Sequence, residues 1–296
     1  MPVGPGVQRT RPPAVASRAM AASSQPLATL AALRMLAQGG NAADAALAAA
    51  AVLCVAEPMS TGIGGDLFAL VWRDGEAGAL DSAGPAPASV DATTPVAEHG
   101  PRSVTVPGTV AGWAELAEKH GRRGLGTCLD AAIQIAERGY AIGATAARLW
   151  SEAEHVPAEL GPAPRSGDVV RLPELAATLR RIAADGPSAF YRGPVAEAIA
   201  AVTWLQESDL AGFAPRWVEP LRLAYRGVEV LELPQRCGEL LEADQVAAPR
   251  HGPQLRRRMI GLAPQSRGGG ADRVAALGDV DRGSEARVEP MPSIAL

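Results

Sequence analysis

A chain of 296 residues, 47% apolar and 20% charged with a net charge of −4, is long enough to bury one large core or two small ones, which excludes disorder throughout. Its mild acidity offers no basic surface, so no nucleic-acid partner is expected, and Cys54, Cys128 and Cys237 are too few and too far apart for a disulfide framework or a zinc site. No apolar run of signal-peptide kind opens the chain, and the most apolar stretch, Ala45 to Ala56, is far shorter than a bilayer span, so a cytoplasmic protein with no membrane partner is expected.

With only 11 aromatic residues (five Trp, three Tyr, three Phe), the core must come from Ala, Leu, Val and Ile, which suits closely packed helices. Ser24 to Gln38 carries apolar residues at helical spacing, with Ser24 as the expected cap, Pro26 in the first turn and Gly39-Gly40 as the stop. Asn41 caps a second helix, Ala42 to Val55, which Pro58 ends. Met59 to Asp66 is too glycine-rich for regular structure. It leads into a strand, Leu67 to Trp72, an Asp74-Gly75 hairpin turn and a returning strand, Ala77 to Asp81. Helices feeding a hairpin predict a layer of helix on sheet.

Ser103 to Val106 reads as a short strand, and helices are predicted at Thr109 to His120, Cys128 to Arg138, Pro173 to Ala184 and Pro194 to Val202. Leu221 to Tyr225 and Val228 to Leu233 form a second hairpin, expected in the same sheet as the first. Beyond Pro234 the pattern dissolves, so residues 235–296 are expected to be an unrelated, disordered tail, and residues 1–13 a disordered N-terminus.

Several chemistries are absent by inspection: no GxSxG, HExxH or GxxxxGK[ST] occurs. Gly62, Gly64 and Gly65 follow a helix and precede a strand, the reverse of a dinucleotide-binding turn. The four histidines are scattered. His120, at a helix end, is read as a charged partner of the helix dipole, and no metal or other cofactor is expected.

One long phrase stands apart: Gly39-Gly40-Asn41-Ala42-Ala43-Asp44-Ala45-Ala46, then Glu57-Pro58-Met59-Ser60-Thr61-Gly62-Ile63-Gly64-Gly65-Asp66-Leu67-Phe68. It resembles the large-subunit start of the γ-glutamyltransferase (glutathione hydrolase) family. The likeness continues through Val104 to Trp113, Ala189 to Gly193, Trp217 to Leu221, Tyr225 to Gly227 and Leu231 to Pro234, and covers residues 14–234. From the residues alone, Asn41 and Asp44 complement a helix N-terminus, and the glycines let backbone pass close to the sheet, so an architectural role is expected for them.

The resemblance implies an α+β fold of N-terminal nucleophile hydrolase type, a four-layer αββα core, of which this chain would hold the helix-rich large-subunit half. It also implies a precursor that cleaves itself, and a threonine at the new N-terminus of the small subunit. That hydroxyl attacks the amide while its own amine takes the proton. Thr203 is the last threonine of this sequence, so no catalytic residue is assigned. The change of character at Gln235 suggests a reading-frame shift or truncation near codon 235.

In γ-glutamyl-specific members an arginine, two residues after an Asp on the returning strand, pairs with the substrate carboxylate. Here Asp81 is followed by Ser82, Ala83 and Gly84, so Ala83 stands at that position. Ser82 is the one candidate substrate-binding residue, as donor of a single hydrogen bond. Three readings follow: a large-subunit half acting on a γ-glutamyl or other acyl amide once a small subunit completes it; the large subunit of a cephalosporin acylase-like amidase; or a non-catalytic pseudoenzyme or remnant. Uncovered apolar strands such as Leu67 to Val71 would favour self-association.

Overall fold

Gln25 opens the first helix, α1 (Pro26–Ala37): its side-chain oxygen accepts the N–H groups of Leu27 and Ala28, two donors that a helix start leaves unpaired. Ser24, the expected cap, instead donates its hydroxyl to Glu57 at 2.7 Å. α2 (Ala42–Ala56) begins as expected at Asn41, which forms a reciprocal capping box with Asp44. The computed structural model describes residues 14–91, 93–97, 100–153, 161–234 and 293–295.

β1 (Leu67–Arg73) and β2 (Glu76–Ser82) pair antiparallel, Leu67 opposite Ser82, around Asp74 and Gly75 at φ 53° and 87°. Two positive φ values in a two-residue loop match the right-handed twist of the strands, which is why Asp-Gly selects this turn. Leu67, Ala69 and Val71 are buried while Phe68, Leu70 and Trp72 are half-buried.

α3 (Thr109–His120) has the bounds expected, and α4 (Gly124–Arg138) starts one turn earlier than Cys128. β3 (Tyr140–Ala141), α5 (Ala144–Glu152) and β4 (Val169–Val170) follow; then come α6 (Pro173–Asp185), α7 (Ser188–Tyr191), α8 (Pro194–Val202) and α9 (Glu207–Ala211). The chain continues as β5 (Arg216–Val218), β6 (Leu221–Tyr225), β7 (Val228–Glu232) and β8 (Ser293–Ala295).

The main sheet is antiparallel in the order β5-β2-β1-β8. α3 packs on β1 and β2; α2 lies against α1, α3 and α4, with α4 also against α6. Buried Ala43, Ala45, Ala48 and Ala51 keep the α2 surface thin enough for neighbours on several sides, as the scarcity of aromatics requires.

Three expectations need correction. Ser103 to Val106 forms no strand: Val106 N–H donates to Pro85 O at 3.0 Å and Val104 O accepts from Trp204 Nε1 at 2.6 Å, so a loop and an indole satisfy this backbone. The β6-β7 hairpin stands in its own two-stranded sheet, because β5 takes the free edge of β2 and Pro220, lacking an N–H, interrupts the strand before β6. Within the stretch expected to be disordered, residues 293–295 form β8 on the edge of β1; residues 235–292, like residues 1–13, lie outside the described residues.

The exposed apolar surface is not where it was expected. Leu67, Ala69 and Val71 are covered by helices, whereas Leu221, Leu223, Tyr225, Val228 and Val230 on the β6-β7 hairpin are between 45% and 64% exposed. Among the described residues no helix is long and apolar enough to cross a membrane.

Candidate binding cleft at the end of the first hairpin

Where β2 ends, backbone packs against backbone. A Cβ on Gly108 would lie 1.7 Å from Ser82 O, and one on Gly84 would lie 1.6 Å from Val106 O. Gly112, one turn into α3, leaves room for Leu67 and Ser82. The glycine loop closes on the same point: Gly65 O accepts from Gly108 N at 2.8 Å and Thr109 N at 2.9 Å, and the Thr109 hydroxyl sits 3.1 Å from Asp66 O. The α3 N-terminus therefore finds its acceptors in this loop.

Ser82, the candidate substrate contact, is fully buried and donates its hydroxyl to Gly108 O at 2.7 Å. The hydroxyl holds β2 to α3, and Ser82 is not among the residues that line the cleft beside it.

That cleft, of about 520 Å³, is lined by Asp81 and the loop residues Ala83, Gly84, Pro85, Ala86 and Ala88, and by Ser208, Asp209, Gly212, Phe213, Ala214 and Arg216. Asp81 is 4% exposed; it accepts from Ala83 N at 3.1 Å and from Arg216 Nη2 at 3.3 Å. Strand register explains the second contact, since Arg216 lies directly across from Asp81 in the β2-β5 ladder. Asp209 joins the walls by accepting from Ala88 N at 3.0 Å and, through its other oxygen, from Gln206 N at 2.8 Å. Asp66 accepts from Gly84 N at 3.3 Å; desolvation and then repulsion from Asp81 raise its pKa, against the pull of that hydrogen bond.

Ala83 lines the cleft, and so does Arg216, which escaped notice in the sequence. The signal was a basic residue directly before the Trp217-Val218 phrase, but its meaning depends on β5 pairing with β2, which no local pattern shows.

Supporting contacts are mostly structural. Tyr191 OH donates to Pro107 O at 2.7 Å and accepts from Ala111 N at 3.2 Å, and burial raises its pKa. Cys54 and Cys128 are buried, and desolvation pushes each thiol up to about 12, with Asp44 adding to the effect at Cys128. Both should therefore stay unmodified when the native chain is treated with a thiolate-selective alkylating agent at pH 8 and react fully in denaturant; peptide mapping by mass spectrometry reads the difference. Among the described residues no group of His, Cys, Asp and Glu could hold a metal ion.

His120 is not the charged dipole partner that its position suggested. Its ring stands edge-on to Trp217 at 5.0 Å with neither nitrogen hydrogen-bonded. Desolvation first, then Lys119 and Arg73, outweigh Glu115 and lower its pKa below the ordinary 6.5. The unfolded chain therefore binds this proton more readily. Stability from this residue is complete above about pH 6.5 and is lost as the pH falls toward the folded-state value. Urea midpoints of the wild type should drop between pH 7 and 5.5 more steeply than those of His120→Phe.

The cleft sits within a recognisable frame. Residues 28–243 match the family model described as Gamma-glutamyltranspeptidase, extending past the Pro234 boundary read from the sequence. The acylase ACY 1 proenzyme of Pseudomonas sp. strain SE83 is 31% identical over 266 residues, covering 75% of this chain and 46% of that protein. Among solved structures, the γ-glutamyltranspeptidase of Helicobacter pylori superposes with a TM-score of 0.71 at 31% identity, covering 75% of this chain and 71% of that one. Cephalosporin acylase of Bacillus halodurans gives 0.69 at 38% identity, covering 77% and 49%. The chain spans about half the length of the curated relatives it matches. Its mixed helix and sheet fold is that of the N-terminal nucleophile hydrolases of this group, and the chain belongs to the γ-glutamyltranspeptidase family.

Proposed function

We propose that these residues form the large-subunit half of an amide-cleaving acyl-transfer enzyme, supplying frame and cleft while a small subunit supplies the N-terminal threonine. The supporting observation is the match of residues 28–243 to the family. A nucleophilic hydroxyl needs a neighbouring base to take its proton, and in this family that base is the amine of the same residue, so frame residues alone cannot substitute for it.

The exposed apolar face of β6-β7 fits this reading, since a surface of that kind asks for a covering layer. Left uncovered, it promotes self-association. The test mixes the purified chain with a threonine-bearing family small subunit and follows release of aniline from a γ-glutamyl anilide and a simple acyl anilide. Turnover in the mixture and none with either part alone supports the proposal; turnover by this chain alone, or none in a mixture shown to associate, contradicts it.

A second reading within the family is favoured by Ala83. With a methyl group lining the cleft where γ-glutamyl-specific members carry an arginine, the acyl group need not be γ-glutamyl, as in a cephalosporin acylase-like amidase. In the same assay this reading predicts faster release from the simple acyl anilide.

A further inference from the structure

The cleft is lined mainly by small or apolar residues, Ala83, Gly84, Pro85, Ala86, Gly212 and Phe213 among them. Phe213 is the one aromatic among its described lining residues; it is half-buried, and its ring lies 5.9 Å from that of Tyr191, tilted by 36°. Tyr191 is itself fixed, because its hydroxyl bonds Pro107 O and Ala111 N while its ring meets the buried Phe190 edge-on at 5.0 Å. Phe213 thus rests on an aromatic pile rooted at the start of α3, which holds its ring in place before any ligand arrives. Charge in the lining points the same way. Asp81 and Arg216 face each other across the β2-β5 ladder and offset one another, and both carboxylate oxygens of Asp209 accept backbone N–H groups. Two carboxylates against one engaged guanidinium repel an anion, and those oxygens already have donors, whereas a hydrocarbon chain gains by leaving water.

We infer that this cleft selects an uncharged, apolar acyl group, with Phe213 as the specificity-determining residue against which the hydrocarbon chain packs. A volume of about 520 Å³ accommodates a short aliphatic chain together with its amide. This inference deepens the acyl-transfer reading and rests on it for the word acyl; the binding site itself does not need turnover.

The experiment titrates the 296-residue chain alone with three amides, followed by NMR of the backbone amides. Hexanamide is the apolar probe; glutaramate carries a carboxylate at the far end of its chain, and 6-aminohexanamide an ammonium. Hexanamide should shift the amides of Ala83, Gly84, Gly212 and Phe213 saturably, with a dissociation constant on the order of 1 mM, as befits a short chain taken out of water. Both charged amides should bind at least about tenfold more weakly, since neither charge finds an open partner in the cleft. Phe213→Ala should weaken hexanamide about tenfold, while Phe213→Leu, which keeps an apolar side chain there, should stay within about threefold of the wild type. Should Phe213→Ala fail to fold, the ranking of the three amides on the wild type and the result for Phe213→Leu still decide. Equal or tighter binding of either charged amide, affinity that ignores Phe213→Ala, or no saturable shift with hexanamide overturns the inference. Failure of the small-subunit mixture with hexanamide binding intact would count against the proposed reaction and leave this site standing; turnover in that mixture without hexanamide binding would overturn this inference alone.

Discussion

Asp44→Ala is expected to cost about 3–5 kcal/mol of folding stability, a large share of the roughly 5–15 kcal/mol that a domain possesses. Asp44 is fully buried, yet its surroundings are backbone N–H groups rather than a cation. It accepts from Asn41 N at 2.8 Å, Arg122 N at 3.0 and 3.1 Å, and Arg123 N at 3.0 Å. One carboxylate thus closes the N-terminus of α2 and the turn between α3 and α4, elements far apart in sequence. Removing it strands several donors at once, and each buried unpaired donor costs about 1–3 kcal/mol. Asn41 adds a strut by donating Nδ2 to His120 O. Asp44→Asn keeps one acceptor but turns an NH2 group toward donors, so it should lose about 2–3 kcal/mol. Urea unfolding of the two variants checks both the size and the order of these losses.

Gly108→Ala should be as damaging, about 4–5 kcal/mol or enough to prevent folding, for a reason that conformation alone does not supply. Gly108 has φ −102° and ψ −21°, which any residue can adopt, so no backbone strain is involved. The obstacle is Ser82 O, 1.7 Å from the would-be Cβ, on a strand pinned opposite Leu67. Overpacking here must separate β2 from α3 and so deform the floor beside the cleft. Gly39→Ala is the control. It has φ +88° with nothing within 4 Å of a Cβ, so its cost should be only the conformational one, about 1–2 kcal/mol. Thermal melts of the soluble variants, and expression yield for Gly108→Ala, read the contrast.

Local order in this protein was legible wherever its cause was local. Asn41 and Asp44 announce a helix start, Asp74-Gly75 a tight turn, and Gly39-Gly40 a helix end, and the structure follows each. The architectural expectation for Asn41 and Asp44 agrees with the contacts observed, whereas a Cβ on Gly62 or Gly64 would meet nothing closer than 4.0 Å, so no close backbone approach requires glycine at those two positions. What escaped the sequence depends on partners distant along the chain. Ser24 yielded the α1 cap to Gln25 because Glu57 claims its hydroxyl. Ser82 looked available until Gly108 O was placed beside it. His120 looked charged until Trp217 arrived from β5 to desolvate it. Arg216 could not be connected to Asp81 across 135 residues without knowing the β2-β5 register. Each miss is a tertiary contact overriding a reading that was reasonable for its own neighbourhood.

The proposed function implies a separation of labour, in which these residues build the cleft and the attacking group belongs to the small subunit. Intact-mass spectrometry of the purified chain, incubated alone with an excess of an activated acyl ester and an acyl anilide, tests this directly. The prediction is an unchanged mass after the anilide and no stoichiometric acylation of any described Ser or Thr after the ester, with no product above background hydrolysis. A single acyl adduct on one hydroxyl, formed and lost in step with product release, would contradict it.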